Sequence, residues 1–167
     1  MIKITAKQIR FLREKTGAPM YRVKKVLVDV MGSLPADATP QALQAGEKKA
    51  ETILKKEGFE KAATKLVRQT TAGEIAAYVH HSGKVASVVE VFCETDFVAR
   101  NAIFKSLSHD LALQVASMGA KDAKELEKQE YIKDSTKKIE DLVKEVIAKT
   151  GENVRIGRII RVELGQE

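Results

Sequence analysis

The chain of 167 residues is long enough for one medium domain or two small ones. With 44% hydrophobic and 31% charged residues it has the composition of an ordinary globular protein, which excludes general disorder. Its formal charge of +6 is uneven, because residues 1–72 hold 15 Lys and Arg against 7 Asp and Glu and the remainder holds 14 against 16. A basic first part would attract nucleic acid or an acidic protein surface. No Arg-rich tract, RNA-recognition signature or aromatic interleaving for base stacking accompanies it. No apolar run approaches the roughly 20 residues that span a bilayer. Met1 to Gly17 has the character of neither a signal peptide nor a transit sequence, so the expected location is the cytoplasm. Aromatics are 5% with no Trp, so a core must be built from Val, Ile, Leu and Ala. The single cysteine, Cys93, rules out an internal disulfide and a Cys-based zinc site.

Thr5 followed by Gln8 is a capping box, and Ile9, Phe11 and Leu12 give the following turns an apolar side that ends at Gly17. Pro19 suits a first helical position, and Val23, Val26, Leu27 and Val30 recur at helical spacing up to Gly32. Thr39 and Pro40 start a third helix carrying Leu43, Ala50, Ile53 and Leu54 as far as Gly58. Phe59, Ala62, Ala63 and Leu66 form a further helical piece. Short helices with one apolar face each must pack together, so residues 1–65 are expected to form a helical bundle.

Residues 66–72 lack a helical stripe and read as a linker. Ile75, Ala77 and Val79 alternate with Glu74, Ala76 and Tyr78, and after His81, Ser82 and Gly83 the alternation resumes at Val85, Ser87, Val89 and Val91, which is a hairpin. His80 and His81 do not suggest a metal site: neighbours on a strand point to opposite faces, and no third ligand is spaced to join them. Asn101 caps a helix bearing Phe104, Leu107, Leu111, Val115 and Met118, closed by Gly119. A charged stretch, Lys121 to Asp134, precedes a strongly amphipathic helix with Ile139, Leu142, Val143, Val146 and Ile147, stopped at Thr150 and Gly151. A last strand alternates Val154, Ile156, Ile160, Val162 and Leu164 with Arg155, Arg161 and Glu163, with Arg158 the exception on the apolar side. Residues 73–167 are thus expected to form an α+β domain, a small antiparallel sheet packed against helices.

The junction of hairpin and helix, Glu94 to Asn101, sets a carboxylate and an aromatic side by side at a corner between two rigid elements. Two arrangements fit: Asp96 caps the turn while Phe97 enters the core, or the pair is presented outward for binding. No phosphate-binding loop, nucleophile elbow, His-Glu-x-x-His or Cys and His pair occurs, so nothing points to an enzyme, a resident metal or another cofactor.

The run from His80 through Thr95, Asp96 and Phe97 resembles the core-domain signature of the bacterial elongation factor Ts family. Leu12 to Ala18 with Met20, Lys48 to Lys65 and Ile147 to Gly165 fit the same family. The resemblance implies a ubiquitin-associated-like three-helix bundle before the core, and this chain departs from it at Pro35 to Gly46, which read as extra residues between the second and third helices. It also implies a nucleotide-exchange factor for the GTPase elongation factor Tu. Asp96, Phe97, Val98 and Ala99 would then enter that partner near its Mg2+ site, and Arg10, Arg13, Thr16, Gly17, Ala18 and Met20 would supply contacts from the bundle. Because the Thr95, Asp96, Phe97 unit occurs once, the resemblance further implies a homodimer through the core domain, using the final strand or the helix at Ser135 to Lys149. A nucleic-acid-binding adaptor is the alternative; it accounts for the basic bundle and leaves the corner unexplained.

Overall fold

The computed structural model describes residues 4–35 and 37–166. Met1 to Lys3, Ala36 and Glu167, which fall in the expected bundle, the expected extra stretch and the expected core domain, lie outside the described residues. The chain divides into two compact units, Met1–Thr64 and Lys65–Glu167. Helices come first and an antiparallel sheet with helices follows, the α+β class that the patterning predicts.

The first unit has three helices, α1 (Ala6–Thr16), α2 (Met20–Gly32) and α3 (Pro40–Ala63). The capping box forms as predicted: Gln8 N donates to Thr5 Oγ1 at 3.3 Å and Thr5 N to Gln8 Oε1 at 2.8 Å. Pro19 stands one residue earlier than expected, as the cap of α2 with ψ 142°. Leu12, Val23, Leu27, Met31, Ala50 and Leu54 close the core. The ion pairs Lys15–Glu51, at 3.2 Å, and Arg22–Glu57 tie α1 and α2 to α3 at its edge.

Two expectations for α3 are corrected. The helix does not stop at Gly58; it runs without interruption to Ala63, because a helical glycine costs only about 1 kcal/mol and ends a helix only when its backbone turns left-handed, which Gly58 does not. Nor is Pro35 to Gly46 an insertion between helices. The connection is limited to residues 33–39, and Pro40 to Gly46 are the first turns of α3. Gly46 has a packing role there, since a Cβ on it would sit 3.2 Å from Leu34 Cδ1 and from Met31 Sδ.

The second unit is built on a three-stranded sheet of order β1 (Ala72–Val79), β2 (Val85–Cys93) and β5 (Val154–Glu163), antiparallel throughout. Two helices, α5 (Ala102–Met118) and α7 (Ile139–Thr150), back the sheet. Phe104, Leu107, Leu111 and Val115 of α5 are buried; Met118, expected on the same stripe, is exposed in the last turn. The Ser87 hydroxyl, pointing inward from β2, donates to the Ala112 carbonyl at 2.6 Å and fixes sheet to helix.

Strand β5 departs from its predicted face. Val91 pairs with Ile156 but Val89 pairs with Ile159, so one extra residue is accommodated around Gly157 and Arg158 opposite Glu90. This bulge flips the alternation. Val154 and Ile156 are buried, whereas Ile160, Val162 and Leu164 face outward with Arg158. In β1 the apolar set Ile75 and Val79 also faces outward. The sheet therefore has one face covered by helices and one exposed apolar face.

Between α5 and α7 lies α6 (Ala123–Lys128) and a short ribbon, β3 (Glu130–Tyr131) with β4 (Asp134–Lys138), which the patterning did not reveal. The buried Gln114 holds it, donating to Gln129 Oε1 and the Glu130 carbonyl and accepting from Ile132 N at 2.9 Å. Ser135 to Lys138 are accordingly strand, and the helix expected from Ser135 begins at Ile139. His80 and His81 are also corrected. They follow β1 in the turn, with His80 Nδ1 2.8 Å from Ser82 Oγ, and their rings lie 4.0 Å apart rather than on opposite faces.

Candidate functional site

Strand β2 ends at Cys93, and the chain makes one helical turn, α4 (Asp96–Ala99), before α5. Two caps fix this turn. Thr95, extended at φ −133° and ψ 155°, accepts from Val98 N at its hydroxyl, and Asn101 accepts from Ile103 N at 2.9 Å to start α5. Backbone bonds from Ala99 N to the Thr95 carbonyl and from Asn101 N to the Val98 carbonyl, 3.2 and 2.9 Å, leave the corner little freedom.

The four corner residues divide cleanly. Val98 and Ala99 are 4% and 8% exposed and turn into the core, while Phe97 is 83% exposed and Asp96 lies open beside it. Of the two arrangements that fit the sequence, the outward one is adopted, and Thr95 rather than Asp96 is the cap. Leaving a Phe ring in water forgoes about 1.5–3 kcal/mol of burial. Held on a doubly capped turn, it is a preformed apolar knob with a carboxylate at its base.

Three residues outside the turn support the corner, two of them distant in sequence. Glu152 takes both donors of Thr95, the backbone N at 3.0 Å and the hydroxyl at 2.7 Å. Asn153 N donates to Glu94 Oε1 at 2.6 Å, and its side-chain amide donates to the carbonyls of Leu66 and Arg68. Cys93, buried beneath, donates to the Thr95 carbonyl at 3.2 Å, and burial, with the Glu152 charge adding to it, pushes its thiol pKa up. A raised thiol is a poor nucleophile, in keeping with a core role. Apart from their place just after a glycine helix stop, nothing in the residue pattern marks Glu152 and Asn153 for these contacts.

In the first unit the residues named from the resemblance also separate by exposure. Arg10 and Arg13 are exposed, and neither guanidinium has a partner among the described residues. Thr16 is buried; its hydroxyl donates to the Leu12 carbonyl at 2.6 Å and accepts from Ala18 N at 3.3 Å. Gly17 adopts φ 69°, a left-handed cap that an L side chain resists, and Ala18 packs on the bundle core. Met20 is exposed, and so is Tyr21 beside it, which sequence reasoning passed over. The exposed set is thus Arg10, Arg13, Gly17, Met20 and Tyr21, shaped from within by Thr16 and Ala18.

No helix among the described residues is long and apolar enough to cross a membrane. They contain no group of three or more His, Cys, Asp or Glu side chains able to hold a metal ion.

A family model described as Elongation factor TS matches residues 94–167, a stretch that opens on the corner itself. Proteins named Elongation factor Ts are similar over nearly the whole chain. That of Anaeromyxobacter dehalogenans is 35% identical over 211 aligned positions, covering 99% of this chain and 90% of the relative. That of Nitratidesulfovibrio vulgaris is 35% identical, covering 98% of each, and that of Thermotoga maritima is 36% identical, covering 99% of this chain and 98% of the relative. The first alignment is 44 positions longer than the chain, so at least that many of its positions have no residue here. With a relative at 35% identity that this chain covers to nine-tenths of its length, and with the matched model beginning at the Glu94 corner, the chain belongs to the elongation factor Ts family.

Proposed function

We propose that this translation elongation factor promotes release of GDP from elongation factor Tu, working in the cytoplasm and carrying no cofactor of its own. The observation that carries the reading is Phe97, bare on a turn whose next two residues are buried. A GTPase holds GDP partly through Mg2+ and through loops with two arrangements. A factor that binds the empty state more tightly than the GDP-bound state weakens GDP binding by the same ratio. In this reading the Phe97 ring wedges between elements of the GTPase near the Mg2+ site, and Asp96 brings a negative charge there. Val98 and Ala99 serve as the anchor that resists the reaction force.

Burying one ring supplies about 1.5–3 kcal/mol, roughly 10- to 100-fold in affinity. Further binding energy is assigned to the bundle, residues 1–65, through Arg10, Arg13 and Met20, with the core domain, residues 73–167, carrying the wedge. The adaptor reading explains the unpartnered cations and gives the Asp96–Phe97 turn nothing to do.

A homodimer through the core domain is part of the proposal. The exposed sheet face of Ile75, Val79, Ile160, Val162 and Leu164 is apolar, and a second copy of the same face would cover it by sheet-on-sheet packing.

The reading is tested by affinity for elongation factor Tu in its empty and GDP-loaded forms. Tighter binding to the empty form, by the factor through which GDP affinity falls, supports it; equal affinity for the two forms refutes it.

A further inference from the structure

From the carboxylate that grips Thr95 we infer that Glu152 is a positioning residue for the Asp96–Phe97 turn, an inference that rests on the exchange reading above. Thr95 carries two donors at the pivot of the turn, its backbone N–H and its hydroxyl. Both end on Glu152, at 3.0 Å on Oε2 and 2.7 Å on Oε1. Each donor ends on its own oxygen, an arrangement that a carboxylate supports and an amide, with a single acceptor oxygen, does not. The hydroxyl has a second duty. It accepts from Val98 N as the cap of α4. By accepting the hydrogen bond that the hydroxyl donates, Glu152 leaves the oxygen lone pairs for that cap, so the carboxylate sets the direction in which the turn starts, one residue before Asp96 and two before Phe97.

Glu152 can do this because its own backbone is held on both sides. Gly151 closes α7 in a left-handed conformation at φ 82°, with its N–H on the Ile147 carbonyl at 2.9 Å. On the other side Asn153 is buried, donating its N–H to Glu94 and its amide to the carbonyls of Leu66 and Arg68, while Lys65 Nζ reaches the Gly151 carbonyl at 2.7 Å. The loop at 150–153 thus grips the strand end at Glu94 and Thr95 and the segment at 65–68 at once. A knob that must push into a partner without yielding needs such a brace, since a misplacement of about 1 Å at a working group can cost on the order of 100-fold in rate.

The test uses the full chain and elongation factor Tu loaded with fluorescent GDP. Glu152→Gln, nearly the same in shape, removes one acceptor and the charge. The expected result is a fall of about tenfold in the maximal rate of GDP release, with half-saturating concentration within about threefold, because the contacts assigned to the bundle remain. In a Phe97→Ala background the same substitution should cause no further loss, since its effect passes through Phe97. Parental rates, a weakened half-saturation at unchanged maximal rate, or full additivity with Phe97→Ala would each overturn the assignment. Amide exchange supplies a readout independent of activity: in Glu152→Ala the Thr95 N–H should exchange at least about tenfold faster, while Val89 and Val91 in β2 keep their protection. If the parent does not accelerate GDP release, the exchange reading is what fails. The hold of Glu152 on the corner then stands on the Thr95 amide, and unchanged exchange there overturns it.

Discussion

Phe97 and Val98 are consecutive residues on one helical turn, the first bare to solvent and the second sealed in the core. The pair separates the two things a protruding residue needs, a surface to present and a root to hold it.

Substitution should separate them too. Phe97→Ala is expected to lower the rate of GDP release roughly 10- to 100-fold while shifting the melting temperature by no more than about 2 °C. Val98→Ala is expected to cost about 2 kcal/mol of stability. Thermal unfolding followed by circular dichroism, beside the exchange assay, checks both. A large stability loss in Phe97→Ala would mean that the ring is buried in solution.

The bulge in β5 depends on Gly157. A Cβ there would run into the edge of the Phe92 ring and stand 3.0 Å from Glu90 Cβ. It would also press on the bonds that Arg158 N and Nε donate to the Glu90 carboxylate, 3.1 and 3.0 Å. Gly157→Ala should therefore destabilise the second unit by roughly 1–3 kcal/mol. Denaturant unfolding measures it, and an unchanged midpoint would show that β2 and β5 adjust freely.

The exposed apolar sheet face makes the oligomeric state testable. Light scattering at micromolar concentration should give twice the 18.4 kDa chain mass, and Ile160→Lys should return the protein to a monomer by placing a charge in the pairing surface. A parental monomer that still exchanges nucleotide would show that one core is sufficient.

Acid should weaken the bundle at an identifiable contact. The hydrogen bond from Arg22 holds the Glu57 carboxyl below the ordinary glutamate value of 4.5, against a smaller opposing effect of burial. A carboxylate lowered in the folded state adds stability that is fully present above its unfolded value and is lost as pH falls through its folded value. The Arg22–Glu57 contribution should thus be intact at pH 6 and fade below about pH 4.5. Unfolding of the parent and of Arg22→Met across this range checks it: the difference between them should narrow on acidification, and a constant difference would contradict the assignment.

What the sequence made legible was local. The Thr5 and Gln8 capping box, the Asn101 cap and the inward set Ser87, Val89 and Val91 all depend on neighbours within a few residues, and all formed. The outward face of Ile160, Val162 and Leu164 was not legible, because the alternation runs on past its one exception, Arg158, and only pairing opposite Glu90 reveals the bulge there. The β3–β4 ribbon is two residues deep on one side and exists through Gln114, which the helical stripe of α5 gave no reason to single out. At the corner, the sequence located the turn but left both orientations of Phe97 open; Val98 and Ala99 filling the core decides between them. Glu152 lies 57 residues from Thr95, and no periodicity connects them.

On the proposed reading, the Asp96–Phe97 turn drives nucleotide from elongation factor Tu. Stopped-flow release of fluorescent GDP from that GTPase, with rising concentrations of this protein, tests it most directly. The release rate should climb with concentration to a plateau far above the spontaneous rate, with Phe97→Ala reaching a plateau at least about tenfold lower. A release rate that stays at the spontaneous value at every concentration, or a Phe97→Ala curve that overlays the parent, would contradict it.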